Sequence, residues 1–187
     1  MEITAGTALG LKLGELPEGH GVRPTSVRAR RAFFDSIGSM EGKTFADLFA
    51  GSGCMGLEAA SRGAAEVIFA EESPEALALI RHNIARFEHT KSPARLQVVP
   101  GTLPASLKVR ILPPRPDIVF ADPPYALEGL DTLPDRILSR GLVLPGGYLI
   151  LEHPAEYNFA AHPSFVKEKK YGNVHFSYFR PKPEEES

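Results

Sequence analysis

From residue 44 onward the chain alternates short apolar runs with helix-like stretches, and this alternation restricts the folds open to it. Residues 44–49, 67–70, 96–99, 118–121 and 148–151 each read as a strand. Between them the pattern predicts a helix over about 56–62, another running from Pro74 to Phe87, and a third over about 127–138. Pro74 suits a first helical turn, where its missing N–H has no partner to lose. Strand and helix in turn at this spacing imply an α/β fold, a parallel sheet with helices on both faces. Residues 165–170 and 174–179 flank Gly172-Asn173 and predict a hairpin, which adds an antiparallel edge to the sheet.

Upstream, residues 3–13 carry Gly6 and Gly10 among short apolar alternations and predict a small hairpin or extended arm. Residues 16–21 are a loop by composition. Thr25 or Ser26 is placed to cap a helix carrying Val27, Phe33, Phe34 and Ile37 and ending at Gly38. The expected division is an arm over 1–22, a single domain over 23–180 and a disordered Pro/Glu tail over 181–187; a chain of 187 residues suffices for one real core.

No apolar stretch has the length of a membrane span, and no basic-then-apolar signal pattern opens the chain. The single cysteine, Cys54, excludes an internal disulfide and fits a reducing cytoplasm. The histidines show no paired ligand spacing, so no metal is expected, and a monomer is the default. With a net charge of −2 the chain is not a globally basic nucleic-acid binder. Arg23, Arg28, Arg30 and Arg31 nevertheless fall in a stretch without an acid, and such a local face can track phosphates.

Two loops fall at strand carboxyl ends, where ligands bind in open sheets of this kind. The first is Asp47-Leu48-Phe49-Ala50-Gly51-Ser52-Gly53-Cys54-Met55-Gly56. Its glycines fit the dinucleotide pattern, with Glu71 where a ribose-binding acid belongs, so this loop alone leaves a nicotinamide dehydrogenase open. Asp47, within the strand, is better suited to a cationic ligand such as the amino-acid end of S-adenosylmethionine than to a pyrophosphate; it also has the simpler use of capping its own loop. The second is Asp122-Pro123-Pro124-Tyr125. Prolines contribute no N–H and fix φ, leaving the carbonyls of Asp122 and Pro123 to accept from an amine, while Tyr125 offers a stacking face. That set grips a flat heterocycle with an exocyclic amino group. Cys54 reads as packing and His153 as a strand-end surface residue.

Phe49-Ala50-Gly51-Ser52-Gly53 followed by Gly56-Leu57-Glu58-Ala59, Asp122-Pro123-Pro124-Tyr125, and Arg23-Pro24-Thr25 together resemble the RsmD family of bacterial methyltransferases. The resemblance implies a class I methyltransferase sheet, mostly parallel with a C-terminal antiparallel hairpin, helices on both faces and a small N-terminal hairpin or arm. It implies S-adenosylmethionine-dependent methylation of a guanine N2 in 16S ribosomal RNA (guanine 966 in the family), with that RNA or the assembling small subunit as partner. By position it implies that Asp47, Ala50, Gly51, Ser52 and Gly53 surround the methionine part of the cofactor. Glu71 would bind the ribose, Thr102 and Leu103 would lie along the adenine, and Asp122, Pro123, Pro124 and Tyr125 would hold the base. Arg23 and Thr25 would flank the pocket. The chain departs from the family pattern at Ser73 and Thr102, often Asp or Asn, and at Leu9 and Leu11, where arginines of the arm would fall. Arg28, Arg30 and Arg31 are then the expected RNA contacts. The Asp-Pro-Pro-Tyr motif by itself also fits an adenine-N6 methyltransferase, and a non-catalytic RNA-binding protein is the third reading.

Overall fold

The computed structural model describes residues 1–16, 26–103 and 115–181. Arg23, Thr25, most of the 16–21 loop and residues 182–187 lie outside them. The elements run α1 (Val27–Ile37), β1 (Thr44–Leu48), α2 (Cys54–Ser61), β2 (Glu66–Glu71), α3 (Pro74–Phe87) and β3 (Arg95–Pro100), then β4 (Ile118–Ala121), α4 (Leu133–Leu138), β5 (Tyr148–His153), β6 (Phe165–Tyr171) and β7 (Val174–Phe179). They build a seven-stranded sheet in the order β3-β2-β1-β4-β5-β7-β6. Strands β1 to β5 are parallel, and β7 pairs antiparallel with both β5 and β6. This is the Rossmann-like class I methyltransferase arrangement, with the order reversing at β1 and β4.

Strand alternation sorts the core onto two faces. Phe45, Phe69, Phe120, Ile150 and Phe176 turn toward α1, α2 and α3, and Ala46, Ala70, Ala121, Leu151 and Phe179 toward α4. On the first face Phe33 of α1 packs 5.2 Å from Phe120 and 5.3 Å from Phe176, ring centre to ring centre. Each such ring contributes about 1.5–3 kcal/mol by burial. Ser26 caps α1, its Oγ accepting from the Ala29 N–H at 3.1 Å, and Ser73 caps α3 ahead of Pro74.

Several predicted boundaries move. β1 stops at Leu48, because Phe49 turns to a φ of +59°. The helix predicted over 127–138 is a 3-10 turn at Leu130–Thr132 followed by only Leu133–Leu138. Gly129, at a φ of +75°, and Pro134 break the longer run. β5 continues to His153 because Glu152 and His153 pair with Phe176 and His175 of β7. The N-terminal residues show one antiparallel bridge, Glu2 to Lys12, and are bound onto α2. Glu58 accepts from the Thr4 N–H at 2.8 Å and from Thr4 Oγ1 at 2.6 Å, and Ile3, Ala8 and Leu13 are buried.

Candidate active site

The loop after β1 reverses the chain within a few residues. Phe49 is the lone non-glycine residue with positive φ among the described residues, a strained position at a strand end. The Ala50 N–H donates to the Ala70 carbonyl at 3.2 Å, and the Gly53 N–H to the Ala50 carbonyl at 2.7 Å. Gly53 opens α2 at a φ of +75°. Gly56 is required for packing: a Cβ there would lie 2.3 Å from the Phe69 ring and 2.8 Å from Val67. Asn83 of α3, fully buried, donates to the carbonyls of Ser52 at 2.9 Å and Gly14 at 3.2 Å and accepts the Gly14 N–H at 2.7 Å. Sequence reading missed this brace; its single signal was a polar residue on the apolar face of α3.

Beneath and beside the loop lie carboxylates sharing one face of the sheet. Asp47 follows Phe45 by two residues, Glu71 follows Phe69, Asp122 follows Phe120 and Glu152 follows Ile150; the preceding partners all belong to the core under α1–α3. Period-two alternation therefore brings the acids to the same side at the strand carboxyl ends. Asp47 Oδ2 accepts the Gly56 N–H at 2.9 Å. Burial still pushes its pKa up to about 8, the Gly56 bond pulling against it and the Glu71 charge adding to it. Glu71 Oε2 accepts the Gly51 N–H at 2.9 Å, and its Oε1 accepts those of Glu72 and Ser73. Asp122 is held well above the ordinary carboxylate range by burial, then by the charges of Glu152 and Asp47. Glu152, 3% exposed, is absent from the sequence reading, which ended β5 one residue before it.

The Asp-Pro-Pro-Tyr segment leaves β4 directly beside this group. The Asp122 N–H donates to the Leu48 carbonyl at 3.3 Å, so the second motif starts where the glycine loop starts. Pro123 is buried and Pro124 exposed, its carbonyl accepting from the Leu127 N–H at 2.8 Å. Tyr125 is 48% exposed, presenting ring surface at the rim. After β3 the Gly101 N–H donates to the Glu71 carbonyl at 3.0 Å, which brings Thr102, exposed, and Leu103, buried, to the Glu71 side of the group. Several acids gathered on one face at the strand ends disfavour a pyrophosphate and favour a cation. The residues present thus fit S-adenosylmethionine, whose sulfonium and ammonium both carry positive charge.

Arg28 and Arg31 are exposed on α1, but Arg30 is not. It is fully buried, its Nε 3.3 Å from Glu58 Oε2 and its Nη2 donating to the Glu2 carbonyl, so it cannot reach a phosphate. The α1 periodicity explains this, since Arg30 shares the inward side with Phe33 and Phe34. His153 is also interior. Its Nδ1 lies 2.9 Å from the Pro154 carbonyl and its Nε2 2.8 Å from Ser177 Oγ, with burial lowering its pKa. Cys54 is buried, its thiol pushed up to about 12, which leaves no thiolate for chemistry. Among the described residues no group of side chains is arranged to hold a metal ion, and no helix is long and apolar enough to cross a membrane.

Comparison with known proteins places this geometry in context. The sequence model of the family described as conserved hypothetical protein 95 matches residues 1–180. The YlbH protein of Bacillus subtilis strain 168, named as a candidate rRNA methyltransferase, is 30% identical over 158 residues, 83% of this chain and 84% of that one. Ribosomal RNA small subunit methyltransferase D of Escherichia coli K12 is 28% identical over 191 residues, covering 100% of this chain and 93% of that one. Among solved structures, a hypothetical protein of Thermus thermophilus superposes with a TM-score of 0.75 at 33% identity, covering 96% of this chain and 99% of that one.

Proposed function

The chain belongs to the conserved hypothetical protein 95 family, the RsmD family, and from that premise we propose that it methylates the exocyclic N2 of a guanine in 16S ribosomal RNA. The observation that carries the reading is the junction of β1 and β4, where Leu48 pairs with Ala121. Through it the glycine loop and Asp122-Pro123-Pro124-Tyr125 open from adjacent strand ends onto one carboxylate-lined face.

When bound, S-adenosylmethionine supplies a methyl group activated by its sulfonium. In this reading Asp47, Ala50, Gly51, Ser52 and Gly53 hold its amino-acid end, Glu71 its ribose, and Thr102 and Leu103 its adenine. Asp122 and the Pro123 carbonyl accept hydrogen bonds from the target NH₂, whose lone pair is otherwise delocalised into the purine. Those bonds favour a pyramidal nitrogen, and Tyr125 stacks on the base to fix its plane. The residues contribute alignment and electrostatics. A paired target base leaves its stack at a cost of a few kcal/mol.

The test is tritiated-methyl transfer to 16S ribosomal RNA, and to small-subunit particles, from cells lacking the protein. The products are then hydrolysed to nucleosides. N2-methylguanosine is the expected product. N6-methyladenosine, or transfer to naked DNA, would replace the guanine assignment with the adenine one. No heat of S-adenosylmethionine binding in calorimetry would leave an RNA-binding protein.

A further inference from the structure

The acids at the strand carboxyl ends raise an electrostatic difficulty for any RNA. Asp47, Glu71, Asp122 and Glu152 share one face there, and the whole chain carries −2, so attraction for phosphates has to come from the surrounding surface. The register supplies a cationic rim. His153 pairs with His175 and Leu149 with Phe179, so the β6–β7 turn at Gly172-Asn173 stands at the same end of the sheet as Asp122. Tyr171, just before that turn, donates from its hydroxyl to the Ala32 carbonyl at 3.4 Å and packs 5.6 Å from the Phe176 ring. The hairpin tip and α1 are thereby joined.

Cationic side chains gather on both sides of that joint. On α1, Arg28 and Arg31 are exposed three residues apart, on one side of the helix. The first turn of α1 holds no acid, and Asp35 is engaged by Arg62 at 3.1 Å. On the hairpin, Lys169 pairs with Phe176 and shares its face toward α1, half-buried, whereas Lys170, exposed, pairs with His175 on the opposite face. The nearby Glu168 carboxylate is compensated by Lys170 at 3.2 Å and faces His175 at 3.3 Å. Lys167, further from the tip, lies over the Tyr178 ring at 4.8 Å.

We propose that the β6–β7 hairpin tip, with Lys169, and the exposed arginines of α1 form one docking surface for the phosphate backbone of a folded RNA beside the target base. This rests on the RNA-methyltransferase reading above and extends it to a segment that the sequence marked only as a sheet edge. Lysines on an edge strand have a second use, blocking pairing with another chain. Reversing the charge of Lys169 keeps the edge charged while repelling phosphate, so the two uses separate.

The experiment measures binding of the full chain to in-vitro-transcribed 16S ribosomal RNA at low and high salt. It compares the wild type with Lys169→Glu, with Lys170→Glu on the opposite face of the hairpin, which should have little effect, and with Lys91→Glu, an exposed lysine at the opposite end of the sheet. The docking surface predicts affinity weaker by about tenfold or more for Lys169→Glu near 0.1 M salt, a shallower salt slope, and little effect of Lys91→Glu. Unchanged affinity and slope in Lys169→Glu overturn it, as does a variant whose single change is self-association. S-adenosylmethionine binding, followed by calorimetry in parallel, reports separately on the methyltransferase reading. Its absence from the wild type would sink that reading, while an RNA defect in Lys169→Glu would still uphold the surface.

Discussion

The Gly56 N–H donates to Asp47 Oδ2 at 2.9 Å, joining the acid of the central strand to the last glycine of the loop above it. A helix start and a strand end are fixed by one bond, and the acid making it is buried. Its carboxyl is pushed up to about 8, by burial first and by the Glu71 charge as well, despite that bond. The loop is therefore organised around a group poised to ionise.

Stability and binding should both record that ionisation. Because the folded pKa lies above the unfolded one, the native state keeps a proton that the unfolded chain has lost. The contribution of Asp47 to stability is greatest below its unfolded pKa, at about 3.8, and declines as the pH rises toward 8. Asp47→Asn should flatten that decline in thermal melts across the interval. A cationic ligand favours the ionised acid, so the affinity for S-adenosylmethionine should rise with pH over the same interval. Calorimetry in buffers of different ionisation heat should detect proton release on binding. Affinity independent of pH in the wild type would contradict the cation-site assignment.

At the rim, Asp122 and Tyr125 should affect turnover far more than cofactor binding. Asp122→Ala is expected to abolish methyl transfer while leaving S-adenosylmethionine affinity within a few-fold of wild type. Stacking of a base on an aromatic ring is worth about 1–3 kcal/mol, so Tyr125→Ala should cost roughly tenfold to a hundredfold in kcat/KM. Tyr125→Phe, which keeps the ring, should stay close to wild type. Single-turnover rates and calorimetry together check this, and a slow Tyr125→Phe would shift the emphasis from ring to hydroxyl.

Much of this site was legible in the sequence because its backbone signals are local. Glycines, prolines and an acid at a strand end declare themselves within a few residues. Glu152 was missed because the extension of β5 depends on pairing with β7, a partner more than twenty residues away. Arg30 was misplaced by charge alone; its helix phase toward Phe33 and Phe34 carried the correct signal, and Glu58, its partner, lies on another helix. His153 was taken for a surface residue since nothing near it in sequence discloses Ser177. The 127–138 helix was overdrawn by giving apolar spacing more weight than Gly129 and Pro134.

Asn83 gives a test of how far the loop depends on its brace. Leucine there fills similar space but leaves the Ser52 and Gly14 carbonyls and the Gly14 N–H without their partner. An unsatisfied buried polar group costs about 1–3 kcal/mol, so Asn83→Leu should destabilise the fold by at least that much. With the Ser52 carbonyl released, S-adenosylmethionine affinity should fall further than RNA affinity. Chemical denaturation and two binding titrations measure this, and equal losses for both ligands would reduce Asn83 to a stability role.

Arg30 and its helix neighbours offer the sharpest contrast between burial and exposure. Arg30 contacts Glu58 from inside the core, and Glu58 also receives Arg62 at 2.8 Å and both donors of Thr4. Removing one member of a buried ion pair leaves the other uncompensated, at a cost of about 3–5 kcal/mol, although Arg62 and Thr4 temper it here. Arg30→Met should therefore lower stability by about 3 kcal/mol in urea titrations. Arg28→Ala and Arg31→Ala, at the surface, should stay within about 0.5 kcal/mol of wild type and weaken RNA binding instead. Pairing Arg30→Met with Glu58→Leu removes both charges, and partial recovery relative to Arg30→Met alone would identify the stranded carboxylate as the source of the loss. If Arg30→Met left stability untouched and abolished RNA binding, Arg30 would be a phosphate contact after all, and α1 would have to turn its buried side outward to make it.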